Sequence, residues 1–347
     1  MMIRLRMLPA EDGDCLLLEY GDDTFVRRIL FDGGRHGTYG RIKPLLAELD
    51  GLIDVLVVTH VDQDHILGVL ALLEDVDRTV EFGDVWFNGF DHLHDREIFG
   101  AVDGEKLTTE LIAQQLPWNK AFEGRSIEVG HPLTWFDDGS TMEVLAPDRR
   151  LLESLIPTWK AKCAEAGLMP GVDPVEREAV PGIERFGAID IDELAAVPFK
   201  RDRSPTNPTS IALLFEFEGT RIVFTGDADD PRLVASIRPR AEDEGGRLRI
   251  DALKVAHHGS SKNVSNDLLG LLDCGRYLIS TNGKVHGHPD DIAIARILKN
   301  GGASKELVFN YRDRAENWDL ADLKQEFGYR VLAPAPADED GFFTVEF

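Results

Sequence analysis

The chain has 347 residues, 43% of them apolar and 29% charged, a balance that can bury a full core and that excludes wholesale disorder. Its 38 basic and 62 acidic residues give a formal net charge of −24, so the far field repels polyanions and speaks against nonspecific nucleic-acid binding, although a cation-lined cleft can reverse the field locally. Cys15, Cys163 and Cys274 are widely spaced and form no C-x-x-C pair, which argues against a disulfide framework and against a cysteine zinc site.

The length exceeds that of a typical domain, yet one α/β unit with a long insertion accommodates it. The expected organisation is a single domain over residues 1–347, with 91–205 as an insertion or lid. Arg4 and Arg6 stand near the start without an apolar stretch of signal-peptide length, and no apolar run approaches the roughly 20 residues of a spanning helix. The expectation is a cytoplasmic protein with no membrane segment.

The first 60 residues alternate short apolar runs with turn signals: 15–19, then Gly21, Asp22 and Asp23, then 28–31, then Asp32, Gly33 and Gly34. That reads as antiparallel strands joined by hairpins, with Asp14 and Asp32 as turn formers. Ile42, Leu45, Leu46 and Leu49 have helical spacing and lead into an apolar strand at 53–58, which ends at Thr59 and His60. In open α/β sheets, ligands bind beyond such carboxyl ends. Helical periodicity resumes over 66–73, a strand follows at 84–87, and the pattern then becomes mixed. Strand-rich sequence returns over 133–145 and an amphipathic helix over 151–165. Six prolines between 167 and 208 mark irregular chain. A hairpin is expected from 210–216 and 221–225 around Glu218 and Gly219. A strand at 250–256, a helix at 266–272, a strand at 276–280 and a helix from Asp290 complete the pattern. Residues 53–60 and 250–257 share the form of an Ile-Asp strand ending in histidine, which suggests a pseudo-twofold relation.

The run His60, Val61, Asp62, Gln63, Asp64, His65 puts four metal-ligand side chains within six residues, just past a buried strand. Imidazole and carboxylate together suit zinc, manganese or iron. A solvated acidic turn holding two histidines is the alternative for this run alone. Three more clusters, however, also sit at strand ends: Asp227 after Thr225 and Gly226, His257 with His258 after Ala256, and His288 after Gly287. Core histidines or scattered surface acids do not explain four such placements.

The order of these motifs resembles the metallo-β-lactamase superfamily, with its H-x-H-x-D-H run, distal His, Gly-Asp and last His. Asp62 stands where that pattern has its second histidine. With Thr225-Gly226-Asp227, Lys254-Val255-Ala256-His257-His258-Gly259-Ser260 and Gly287-His288-Pro289, the chain is similar to the metallo-β-lactamase domain of ComEC-type DNA-uptake proteins over roughly 1–90 and 205–300. The resemblance implies a four-layer αββα sandwich. It also implies two divalent metal ions, zinc or manganese, with His60 and Asp62 on one, Asp64, His65 and His288 on the other, and Asp227 bridging. Asn207 falls near the place of the distal histidine, a weak zinc ligand that together with Asp62 favours manganese. His257 and His258 have two readings, as proton donor or phosphate partner and as replacement ligand. His258 is preferred as the functional one because Gly259 and Ser260 would let backbone approach an anion.

The chemistry so implied is hydrolysis by a hydroxide shared between two cations, with Asp64 binding metal or orienting the nucleophile. A phosphodiesterase or nuclease is the leading expectation, acting on a phosphodiester or small anionic substrate. Hydrolysis of a small ester, lactone or thioester is the second, because fold does not fix substrate. A degenerate binding module without turnover is the third.

Overall fold

A computed structural model of the protein describes residues 1–49, 51–93, 102–165, 189–339 and 341–347. Strands β1 (Met2–Met7), β2 (Leu16–Gly21) and β3 (Val26–Phe31) pair antiparallel, as the alternating N-terminal pattern predicts. Helix α1 (His36–Leu49) then carries the chain over to β4 (Leu52–Val57), which joins β3 in parallel. Helix α2 (Gln63–Glu74) crosses to β5 (Glu81–Trp86), parallel to β4.

The middle of the chain supplies α3 (Val102–Ala113), β6 (Thr134–Trp135), β7 (Thr141–Ala146), α4 (Arg149–Glu165) and α5 (Ile191–Ala196). A second sheet continues through the hairpin β8 (Ala212–Phe217) and β9 (Thr220–Phe224), α6 (Asp230–Asp243), β10 (Leu248–Lys254), α7 (Asn266–Gly270), β11 (Leu272–Ile279) and α8 (Asp291–Asn300). The C-terminal part adds β12 (Lys305–Phe309), α9 (Arg312–Glu316), α10 (Ala321–Phe327), β13 (Tyr329–Leu332) and β14 (Phe343–Glu346).

The six-stranded sheet runs β14-β1-β2-β3-β4-β5 and the eight-stranded sheet β13-β12-β11-β10-β9-β8-β7-β6. Alternation along the strands builds the layers. Val55 and Val57 of β4, Phe215 of β8, Ile222 and Phe224 of β9, and Leu278 of β11 meet between the sheets, where Phe31 stacks on Phe224 at 4.0 Å. Leu30, Leu56 and Val58 face the other way and pack with Ile66, Val69 and Leu73 of α2. Val223, Leu253 and Ile279 do the same beneath Leu233 and Ile237 of α6 and Ile294 and Ile297 of α8. Helix, sheet, sheet, helix is the expected αββα sandwich.

The stretch 91–205, expected as an insertion or lid, carries regular elements. Its strands β6 and β7 extend the eight-stranded sheet through β7–β8 pairing, and α5 packs against α8. The Pro-rich irregular segment expected over 167–208 lies outside the described residues as far as 188. Beyond that it contains α5 and a short 3-10 turn at Asn207–Thr209. No helix among the described residues is long and apolar enough to cross a membrane.

Candidate metal centre

The parallel strands β4, β9, β10 and β11 end on one side of the sandwich, and the loops leaving them bring their polar side chains together around Asp227. Gly226 has a φ of +49°, and a Cβ there would meet the Thr59 side chain at 3.0 Å, so only glycine lets the chain turn after β9 and aim Asp227 inward. The Asp227 carboxylate is almost fully buried, and its Oδ1 has no hydrogen-bond partner.

Four imidazole nitrogens face this carboxylate in two pairs. His60 Nε2 and His257 Nε2 lie 3.8 and 3.6 Å from Oδ2. His65 Nε2 and His258 Nε2 lie 3.5 and 3.6 Å from Oδ1. Asp62 Oδ2 joins the first pair, 3.7 Å from His60 Nε2, and Asp64 Oδ2 the second, 3.6 Å from His258 Nε2. The side chains of His60 and His65 come from one short run because α2 begins between them. Asp62 stands just before its first residue without a side-chain capping bond, while Asp64 and His65 occupy its first turn.

The opposite nitrogen of every ring is engaged. His65 Nδ1 donates to Asp32 at 2.8 Å, and Asp32 also accepts from the Thr59 amide and hydroxyl. The Thr59 hydroxyl, having given its proton to Asp32, accepts from His60 Nδ1 at 3.0 Å. His258 Nδ1 donates to the Ser280 carbonyl at 2.9 Å. His257 Nδ1 donates to Asn263 Oδ1 at 2.9 Å, because the Asn263 amide is spent on the carbonyls of Asp227 and Ala228. Each ring therefore turns its Nε2 toward Asp227. Such outer bonds are what fix the tautomer of metal-binding histidines.

This arrangement fits divalent cations. His65 Nε2 and His258 Nε2 stand 3.3 Å apart, and His60 Nε2 is buried without a hydrogen-bond partner. Tetrahedral zinc with bonds of about 2.0–2.2 Å keeps its donors roughly 3.3–3.6 Å apart, and the facing donors here run from 3.3 Å between His65 and His258 to 3.8 Å between His60 and Asp227. The carboxylates create a strong negative potential. Burial alone would depress the His258 imidazole, yet Asp227 and Asp14 push it up to about 10. Burial would likewise raise Asp64, but His65 and His258 hold it well below the usual carboxylate range.

Ligand atoms of Asp14, His65, Asp227 and His258 form the tightest group, all within 4.8 Å of one another. Asp14 stands behind His258, with Oδ1 3.4 Å from Nδ1, and its other oxygen pairs with Lys254 Nζ at 2.6 Å. That geometry holds the imidazole more readily than it offers a lone pair to the same ion as Nε2. Against the rise that burial imposes, Lys254 and His258 bring the Asp14 carboxyl down to about 2.

His288, expected beside Asp64 and His65, has its Nδ1 donating to Asp290 at 3.0 Å and its ring edge-on against His257. His258 Nε2 lies 3.6 Å from Asp64 Oδ2 and 3.3 Å from His65 Nε2. Asn207 turns its amide to Asp202, 2.8 Å away, and lies against His257 Nδ1, so it braces that ring from outside. Gly259 is packed against Pro289. The sequence reading took Asp14 and Asp32 for turn formers and gave Asp202, Asn263 and Lys254 no part in the site. Lys254 was a visible signal, a lysine within an otherwise apolar strand end.

Adjacent histidines reach different oxygens of Asp227 because His257 (φ 48°) and His258 (φ 54°) are both in the left-handed region. Non-glycine residues pay on the order of 1–3 kcal/mol each for such backbone, which persists where the surroundings enforce it.

No protein-family model matches the chain, and no curated protein matches it. Among solved structures it is similar to the metallo-beta-lactamase fold protein YhfI from Bacillus subtilis, with 12% identity, 99% of each chain covered and a TM-score of 0.39. Numbers that low support no inference, and the chemistry of the site is read from its own side chains.

Proposed function

We propose that the protein is a dinuclear metal-dependent hydrolase that cleaves phosphodiesters. The observation that carries this reading is the division of four Nε2 atoms into two pairs across the two oxygens of Asp227. His60, Asp62 and His257 would hold one cation, Asp64, His65 and His258 the other, with Asp227 between them. Each half offers two imidazoles as well as carboxylate, so the first position is not poor in nitrogen even though Asn207 is turned away. The mixed donor set suits zinc and manganese.

When bound, two such cations would acidify a water and take up charge developing on the attacking and leaving oxygens. The chain's own contribution is orientation. Asp32 and Thr59 fix His60 and His65, Ser280 and Asp14 fix His258, and Asn263 and Asp202 fix His257. Thr206 donates to Asp62 Oδ2 at 2.9 Å and so sets the direction of the more exposed carboxylate. His288, bonded through Nδ1 to Asp290, is left at the edge of the site with Nε2 available to a substrate oxygen.

The ComEC-like order of the motifs supports phosphodiesters over esters and lactones. The test is hydrolysis of bis-p-nitrophenyl phosphate and of single-stranded DNA by protein loaded with manganese or zinc, with Asp64→Ala as the control. Turnover abolished by the substitution supports the reading. Absence of turnover with every metal and phosphodiester sinks it, and faster turnover of a lactone panel moves the assignment to the ester class.

A further inference from the structure

The −24 chain carries a concentrated group of arginines beside the metal centre. A cleft of about 450 Å³ is walled by Arg150 and Ser154 of α4 on one side and by Arg201, Asp202, Arg203 and Pro208 on the other. Arg201 is committed through Nε to Asp229. Arg150 and Arg203 are exposed and have no ion pair among the described residues. In a protein with so many more acids than bases, two exposed arginines with no carboxylate partner among the described residues, set on one small concavity, favour an outside anion there. The single acid in the wall, Asp202, is already occupied: it accepts from Asn207 and from the Ser204 amide, and it faces His257 Nδ1 at 3.4 Å.

That last contact places the cleft. One imidazole ring, that of His257, separates its wall from Asp227. The same loop also reaches the other side of the first metal position, through Thr206 to Asp62. A group bound in the cleft therefore lies next to a diester held at the metals. Guanidinium forks match phosphate oxygens in pairs, and the cleft has the size of a small-ligand site.

We propose that this cleft is a subsite for a second phosphate of the substrate, so that the substrate is a phosphodiester carrying at least one further phosphate, as in a 5′-phosphorylated dinucleotide, in preference to an isolated diester. The proposal rests on the phosphodiesterase reading above for its second half, while the anion subsite stands on the arginines alone.

The experiment compares a dinucleotide with and without its 5′-phosphate, using metal-loaded wild type and the Arg150→Ala/Arg203→Ala double variant. In the wild type the phosphate lowers KM by about tenfold or more, as expected for charge-assisted bidentate contacts. In the double variant that advantage shrinks to less than about twofold, and Arg150→Lys/Arg203→Lys restores part of it. Equal KM for both dinucleotides in the wild type, or an advantage that survives the double substitution, overturns the proposal. If neither dinucleotide is cleaved, the hydrolase reading fails by itself, and the subsite is read from fluorescence anisotropy of the labelled compounds. Phosphate-dependent binding lost in the double variant sustains the cleft, and binding indifferent to phosphate or to the variant overturns it.

Discussion

The ammonium of Lys254 lies 2.6 Å from the Asp14 carboxylate, with side chains only 1% and 2% exposed. Both sit between the sheets, Lys254 at the end of β10 and Asp14 in the loop between β1 and β2, so the pair clamps the two sheets together directly behind His258. Removing one partner leaves the other charge buried and unmatched. Lys254→Met is expected to cost about 3–5 kcal/mol in urea unfolding of the metal-free protein, and adding Asp14→Asn to recover a substantial part of that loss. A double variant no more stable than the single one contradicts the pairing.

The two halves of the centre are separable by mutation. His257→Ala and His258→Ala are each expected to lower the bound metal from two ions per chain to one, read by elemental analysis after dialysis. His288→Ala leaves two. Asn207→Ala also leaves two but weakens the more labile ion by about tenfold or more in competitive chelation, as loss of an outer brace does. Loss of an ion in His288→Ala would return that residue to the ligand set.

Asp230, the first residue of α6, is held at about 6 by burial, despite a hydrogen bond from the Ser265 amide at 2.8 Å. Its folded value lies above the ordinary 3.8, so the native state binds the proton more tightly than the unfolded chain does. The group therefore makes its full contribution to folding below about pH 4 and loses about 3 kcal/mol of stability as pH rises through about 6. Asp230→Asn is expected to raise stability at pH 8 relative to wild type and to make little difference near pH 4. The measurement is chemical denaturation of both proteins in chelator. A variant benefit that grows toward acid contradicts the sign.

Gly226→Ala tests the turn that aims Asp227. With φ at +49° and Thr59 at 3.0 Å from the added methyl, the substitution is expected to destabilise the protein by more than about 1 kcal/mol and to weaken both metals together. Thermal unfolding and metal titration read the two effects. Weakening of one metal alone would place Asp227 on one side of the centre.

Much of the architecture is legible in the sequence because buried strands announce themselves as apolar runs. The segments ending at His60, Asp227 and His257 become β4, β9 and β10 with boundaries displaced by a few residues. The placement of ligand-type residues at their ends follows from the same runs. What the sequence does not show is which nitrogen meets which oxygen. His258 and His288 are both histidines after strands, and their roles separate only because two successive left-handed residues fan His257 and His258 to opposite oxygens of one carboxylate. Asp32 reads as a turn former, and its backbone does turn, with φ at 55°, yet its carboxylate accepts from Thr59 and His65. Asp14 and Lys254 are far apart in the chain and meet only when the sheets close. Within 91–205 the strand-rich stretch expected over 133–145 becomes β6 and β7, but its place at the edge of the second sheet depends on β7 pairing with β8, a long-range contact that the sequence does not show.

The central claim is that two cations share Asp227. Anomalous diffraction at the zinc and manganese edges from crystals of metal-loaded protein tests it most directly. The account predicts two peaks about 3.5–4 Å apart, one by His60, Asp62 and His257 and the other by Asp64, His65 and His258, each contacting one Asp227 oxygen. A single peak among Asp14, His65 and His258, or none at saturating metal, would contradict it.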